Sequence, residues 1–330
     1  MKKCIAIILT LLMTISLLTA CGGRDSGTVK LTLSEVTHSV FYAPQYAALK
    51  LGFFADEGLD VELINGGGAD KVMTSVLTGE AEIGLAGPEA CIYVLLEGRD
   101  DAPKVFAQLT NCDGAFLVGR TDDDFSWDDL RGKTIIGGRK GGVPEMTLEY
   151  VMRQNGIIPQ EDAIVDTSVQ FNMMAGAFTG GNGDYVALFE PTATEVELAG
   201  QGYILASIGE YGGEIPYTAY FAAESYISKN SDVIQGFTNA VAKGQKWVME
   251  HTNEEIAEVI AEFFPDTDTD VLAKVAERYK SIGAWNETPV MKQEALERLE
   301  TVMEAAGELS SRVDFETLTD NSFAEKAAKK

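Results

Sequence analysis

Residues 29–36, Val-Lys-Leu-Thr-Leu-Ser-Glu-Val, alternate apolar and polar side chains at period two. That is the pattern of a strand with one buried face. Pro44 then opens a stretch that suits a helix through Leu51, with proline in the first turn, where its missing N–H costs nothing. Gly58 ends this stretch, and residues 59–64 read as a second strand. Residues 69–77 read as a helix closed by Thr78-Gly79, residues 82–86 as a third strand, and Pro88 opens a third helix. Strands alternating with helices in this way predict an α/β protein with a parallel sheet covered by helices.

Working outward, residues 105–109 and 115–118 read as further strands, and then the rhythm restarts. A short helix at 127–130 precedes strand 134–136, helix 144–153, strand 163–165 and helix 171–178. Strand 185–189, helix 192–198 and strand 203–206 follow, and 220–223 is the last clear strand. After Lys229 the chain turns helical, over 229–250, 253–263, 269–282 and 289–306. Two successive α/β units predict two lobes with a ligand cleft between them. Residues 29–118 begin lobe 1, 119–209 form lobe 2, and 210–330 return to lobe 1 with the helical tail packed on it. The crossings are expected near Gly119-Arg120 and between Gly209 and Gly213, where glycine suits a hinge.

The chain has 330 residues, and 45% of them are hydrophobic, which is ordinary for a folded chain and too many for a disordered one. Asp and Glu number 51 against 26 Lys and Arg, for a net charge of −25. Phosphate backbones need clustered basic residues, so nucleic acid is excluded as a partner. Two histidines, His38 and His251, are too few for a histidine-rich metal enzyme. Met1-Lys2-Lys3 and the apolar run at 5–18 read as an export signal. The run is shorter than the roughly 20 residues of a spanning helix. Leu18-Thr19-Ala20-Cys21 resembles the lipobox of bacterial lipoproteins. Residues 1–20 would then be the signal peptide and 21–28 a flexible tether. Cys21 would carry a lipid that anchors the chain on the extracytoplasmic face of the cell membrane. Cys91 and Cys112 remain, as a disulfide or as two buried free thiols.

In open parallel sheets ligands bind at the carboxyl ends of the strands. Those positions hold His38, Phe41 and Tyr42 after the first strand, Gly66, Gly67 and Gly68 after the second, and Gly87 and Pro88 after the third. Asn111 follows the strand at 105–109, Gly142 and Val143 open a helix in the second unit, and Phe189 and Glu190 end another strand. Tyr217 precedes the last strand. Glycines before a helix expose its free N–H groups to an anion. Glu190 should point into the cleft and accept hydrogen bonds, while Arg139 or Lys140 could pair with an acid. Phe41, Tyr42, Phe171, Phe189, Tyr217 and Trp285 are candidates to stack on a planar ring. Catalytic motifs fail on inspection. Gly132-Lys133-Thr134 lacks the upstream glycine of a P-loop, which is Trp127 here. Asp266 to Asp270 lacks the turn glycine of a calcium loop. No nucleophile sits in a recognisable setting, so no catalytic residue, metal site or cofactor is expected.

Several stretches together resemble one family. They are Phe41-Tyr42-Ala43-Pro44-Gln45-Tyr46, Leu51-Gly52-Phe53-Phe54-Ala55-Asp56-Glu57-Gly58-Leu59, Leu77-Thr78-Gly79-Glu80-Ala81-Glu82, Trp127-Asp128-Asp129-Leu130-Arg131-Gly132-Lys133 and Glu190-Pro191-Thr192. The family is the substrate-binding proteins of ABC importers for thiamine-pyrimidine precursors, aliphatic sulfonates, nitrate and taurine. The resemblance implies a type II periplasmic-binding-protein fold closing on one small molecule, with a permease and its ATPase as partners. A planar nitrogen compound such as a thiamine-pyrimidine precursor is the favoured ligand, and a sulfonate, taurine or nitrate-type anion the alternative. A pyrimidine-synthase enzyme of the same fold carries a Cys-Cys-Cys-Phe-Cys motif that this chain lacks. A surface-tethered sensor would need a further signalling domain or a spanning segment.

Overall fold

The computed structural model describes residues 27–122 and 124–330. The expected signal, Cys21 and most of the expected tether lie outside the described residues. The strands are β1 (Val29–Glu35), β2 (Leu59–Asn65), β3 (Ile83–Ala86), β4 (Pro103–Thr110), β5 (Ala115–Gly119), β6 (Thr134–Ile136), β7 (Ile164–Asp166), β8 (Tyr185–Phe189), β9 (Tyr203–Ser207) and β10 (Thr218–Ala223). They form two five-stranded sheets, ordered β2-β1-β3-β10-β4 and β7-β6-β8-β5-β9.

β1 pairs in parallel with β2 and β3, and β6 with β7 and β8. β10 runs antiparallel to β3 and β4, and β5 antiparallel to β8 and β9. Each sheet is therefore mixed, where the alternating rhythm predicted a parallel one. Both antiparallel strands are the first to form after the chain passes from one sheet to the other. The chain arrives from across the cleft and enters the new sheet in the opposite direction.

This moves a lobe boundary. β5 belongs to the second sheet, so the first crossing is Asn111 to Gly114 and not Gly119-Arg120. Gly119 lies inside β5 because Leu205 and Tyr185 leave no room for a Cβ; one would stand 2.5 Å from the Leu205 side chain. Arg120 is held by the carbonyls of Asn182 and Gly183 and covers the Phe178 ring at 3.8 Å. Neither residue suits a hinge. The return crossing runs between β9 and β10, over Gly209 to Gly213 as expected. The two crossings touch: a Cβ on Gly209 would lie 2.0 Å from the Asp113 carbonyl oxygen.

The helical tail packs on the first lobe as expected. The Ser231–Glu250 helix crosses the Ala43–Lys50 helix at Gly244, where a Cβ would meet the Pro44 carbonyl oxygen at 2.2 Å. Gln245 Nε2 donates to the Gln108 carbonyl at 2.8 Å. The tail also reaches the second lobe, which its sequence did not foretell. The Thr269–Ser281 helix carries Arg278 to Glu190, and Tyr279 donates to the Gly114 carbonyl at 3.1 Å. The Gln293–Ala305 helix packs on the Val143–Gln154 helix of the second lobe. No helix among the described residues is long and apolar enough to cross a membrane.

Candidate functional site

The carboxyl ends of β1 and β3 face those of β6 and β8 across a cleft between the lobes. Three adjoining spaces of about 60, 220 and 40 Å³ meet at Phe171, with Val36, Thr37 and Phe189 each lining two of them. That is room for one small molecule and not for a chain segment. Of the residues singled out in the sequence, His38, Tyr42, Gly67, Gly68, Gly87, Gly142, Val143, Phe189, Glu190 and Tyr217 line it.

Phe41, Gly66, Pro88 and Asn111 do not. Phe41 is fully buried behind the cleft, with its ring 5.6 Å from Phe189 and 5.7 Å from Tyr217. It supports the aromatic wall from the rear. Trp285 is buried too, its Nε1 donating to the Phe41 carbonyl at 2.9 Å. Gly66 is packed against the Val72 side chain, where a Cβ would stand 2.8 Å away. The wall itself is Tyr42, Phe171, Phe189 and Tyr217, with Phe171 and Phe189 rings 5.5 Å apart.

Glu190 does not offer its carboxylate to the cleft. Its side chain has no exposure; it pairs with Arg278 and accepts from the Thr194 N–H and hydroxyl, both at 2.9 Å. The Glu190 main chain also meets the first lobe, where Ser39 Oγ donates to its carbonyl at 2.5 Å. The expected ligand grip is thus an internal ion pair that also satisfies the start of the Thr192–Leu198 helix. His38 is likewise engaged. Nδ1 lies 2.8 Å from Glu35 Oε1 and Nε2 2.6 Å from the Phe263 carbonyl. Burial opposes its charged form, yet Glu35 and that carbonyl outweigh burial and raise its pKa.

Glu89, which the sequence places in the Gly87-Pro88-Glu89 loop after the third strand without singling it out, and Asp113, which sequence reasoning missed, complete the site. Glu89 is 1% exposed and lines the cleft, and its Oε2 has no hydrogen-bond partner. Burial pushes its carboxyl up to about 7, with Arg139 acting against the shift. Asp113 is fully buried in the first crossing. Its Oδ1 accepts from the Ala115 N–H at 2.7 Å and its Oδ2 is unpartnered. Burial pushes it up to about 8. Across the cleft mouth, Tyr93 donates to the Gly141 carbonyl at 2.9 Å and Arg139 lies 3.8 Å from Asp70. Cys91 and Cys112 are both buried free thiols.

Two mixed sheets, a double crossing and a cleft between facing strand ends define a periplasmic-binding-protein fold. Solved structures bear this out. The alkanesulfonate-binding protein SsuA from Xanthomonas axonopodis pv. citri superposes with a TM-score of 0.72 at 14% identity, covering 89% of this chain and 98% of that one. The periplasmic nitrate-binding protein NrtA from Synechocystis PCC 6803 gives 0.72 at 15% identity, over 91% and 88%. At those identities the likeness is one of fold. Residues 40–255 match the family described as NMT1/THI5 like, and the chain belongs to that family. YtlA of Bacillus subtilis (strain 168) is 44% identical over 310 residues, 94% of this chain and 92% of YtlA.

Two predictions follow from the acids of the site. Glu190→Ala would leave Arg278 with Glu197, at 3.9 Å, as its remaining carboxylate and the Thr194 hydroxyl at 2.8 Å. Removing one partner of a buried pair costs about 3–5 kcal/mol, and the partial exposure of Arg278 points to the lower end, about 3 kcal/mol. Denaturant unfolding of the ligand-free protein measures it, and a loss under about 1 kcal/mol would show that the pair does not hold the fold. The second prediction concerns pH. Asp113, Glu89 and Glu145 are raised to about 8, 7 and 7, by burial first in each case. Unfolded, they release their protons near pH 4. Between about pH 4 and pH 8 the folded state therefore holds more protons, and stability falls as pH rises. Melting temperature should be higher at pH 5 than at pH 8, with a smaller difference in Asp113→Asn. A melting temperature that climbs across this range would contradict the assignment.

Proposed function

We propose that this protein is the extracytoplasmic solute-binding component of an ABC importer. It captures one small organic molecule between its lobes and presents it to a permease and its ATPase. The observation that carries this reading is the enclosed cleft walled by Tyr42, Phe171, Phe189 and Tyr217, between two lobes that the chain joins by two crossings. The provisional name of YtlA as a binding protein agrees with it. The reading is binding without chemistry: the acids and His38 around the cleft are spent on internal pairs or stand alone, and none faces a nucleophile.

The ligand favoured is a planar, nitrogen-bearing ring such as a thiamine-pyrimidine precursor, because aromatic faces stack on flat rings. A sulfonate, taurine or nitrate-type anion is the second reading, for which Arg139 at the cleft wall is the cation available. Mass spectrometry of small molecules released from natively purified protein decides between them. A released ring compound supports the first reading and a released sulfonate the second. Protein that neither carries nor takes up any small molecule would refute capture itself.

The lipid anchor is part of the same proposal, carried by Leu18-Thr19-Ala20-Cys21 after the apolar run. Cys21→Ala should release the protein from the membrane fraction. A variant as membrane-bound and as fully processed as wild type would rule the anchor out.

A further inference from the structure

This inference rests on the cleft being a capture site for one small molecule. Among the helices that begin at it are Ala69–Thr78, Glu89–Leu96 and Val143–Gln154. Free N–H groups at a helix start are the ordinary seat of a bound anion. Here each start already holds an acid of its own, Asp70, Glu89 and Glu145. Glu145 accepts from the Gly141 N–H at 3.1 Å, and Asp70 lies against Gly68, where a Cβ would be 2.8 Å from its oxygen. The basic side chains of the cleft lining are matched as well. Arg139 stands 3.8 Å from Asp70, and His38 2.8 Å from Glu35.

Glu89 differs from the other two acids. It is almost completely buried, it lines the cleft beside Tyr217 and Phe171, and its Oε2 has no partner. That oxygen rests over Gly87, where a Cβ would lie 1.9 Å away, so the glycine gives the carboxyl its place. A buried polar atom without a partner costs stability. Such a group persists when something outside the empty protein completes it.

We propose that Glu89 is the specificity-determining residue of the cleft: it selects a ligand that presents N–H donors, neutral or cationic, and rejects anions. Oε2 accepts from the donor edge of the ligand while the aromatic wall takes its flat face. Above about pH 7, where Glu89 and Glu145 ionise, the acids at these three helix starts repel a sulfonate or nitrate from positions that would otherwise hold it. Burial raises the pKa of Glu89 against Arg139 and nearby backbone N–H groups, as expected of a carboxyl with an oxygen still unpartnered.

The test compares ring compounds of similar size in calorimetric titrations of wild type, Glu89→Gln and Glu89→Ala. Benzamidine and 4-aminopyrimidine supply donors; benzenesulfonate and nitrate supply anions. Both donors should bind wild type, and Glu89→Ala should weaken them at least about tenfold, the equivalent of 1.4 kcal/mol. Neither anion should bind wild type. Glu89→Gln keeps the volume and removes the buried charge, so its melting temperature at pH 8 without ligand should equal or exceed that of wild type. Donors that fail to bind at millimolar concentration, or bind wild type and Glu89→Ala alike, would overturn the proposal. So would an anion that binds wild type, or a clear loss of melting temperature in Glu89→Gln, which would make the residue structural. A molecule released from natively purified wild type, together with any of these failures, would remove the role of Glu89 and leave capture standing.

Discussion

Two passages of chain join the lobes, and they meet where Gly209 lies against the Asp113 carbonyl oxygen with no space for a Cβ. The rest of the architecture depends on this close contact. It brings β5 and β10 into their sheets antiparallel to their neighbours, and so sets which strand ends face the cleft. It also buries Asp113, the carboxyl of the Asn111 to Gly114 crossing, where burial raises its pKa to about 8. A linker this tightly packed moves as a unit, which suits rotation of whole lobes better than local melting.

Around that contact the lobes are held in a closed arrangement by bonds of unequal kind. Ser39 to the Glu190 carbonyl and Tyr93 to the Gly141 carbonyl are neutral hydrogen bonds to main chain. Arg139 with Asp70 and Lys140 with Glu308 are solvent-facing ion pairs, each worth about 0–1 kcal/mol. Arg278 with Glu190 is the buried one, and Tyr279 beside it bonds both Glu190 and Gly114. Because the tail supplies Arg278 and Tyr279, it acts as a third support between lobes rather than a cover on the first. The solvent-facing contacts at the mouth are thus the weaker ones, and the buried contacts near the crossing the stronger.

The element order was legible in the sequence because strands and helices here are locally consistent. Alternation marked β1, proline marked helix starts, and glycine marked their ends, so boundaries fell within a few residues. The sheet that β5 joins was not legible. Its five apolar residues satisfy either sheet, and the choice depends on β8 and β9, roughly seventy residues or more downstream. The aromatic wall was partly legible: Tyr42, Phe189 and Tyr217 line the cleft, whereas Phe41 and Trp285, equally aromatic, lie behind it. Glu190 was misread because its position after a strand suggested the cleft, while its partner Arg278 is 88 residues away. Glu89 was passed over because an acid at a helix start is the commonest thing an acid does. Only its burial and its unpartnered oxygen set it apart.

Those buried acids bear on why this cleft is better suited to holding than to reacting. A catalytic acid or base needs a reacting group within hydrogen-bond reach. Glu89 faces aromatic rings and a glycine, and Asp113 lies inside a linker beside Tyr217. What Glu89 has is a buried oxygen without a partner, in a chain already carrying a net charge of −25. A ligand that partners this oxygen stabilises the folded, closed form in proportion to how far its concentration exceeds its dissociation constant. An anion would add charge to the same enclosure and gain nothing from the helix starts, which their own carboxylates occupy. The structural neighbours named for alkanesulfonate and nitrate share the fold with this chain; under the proposal for Glu89 its own ligand brings N–H donors instead.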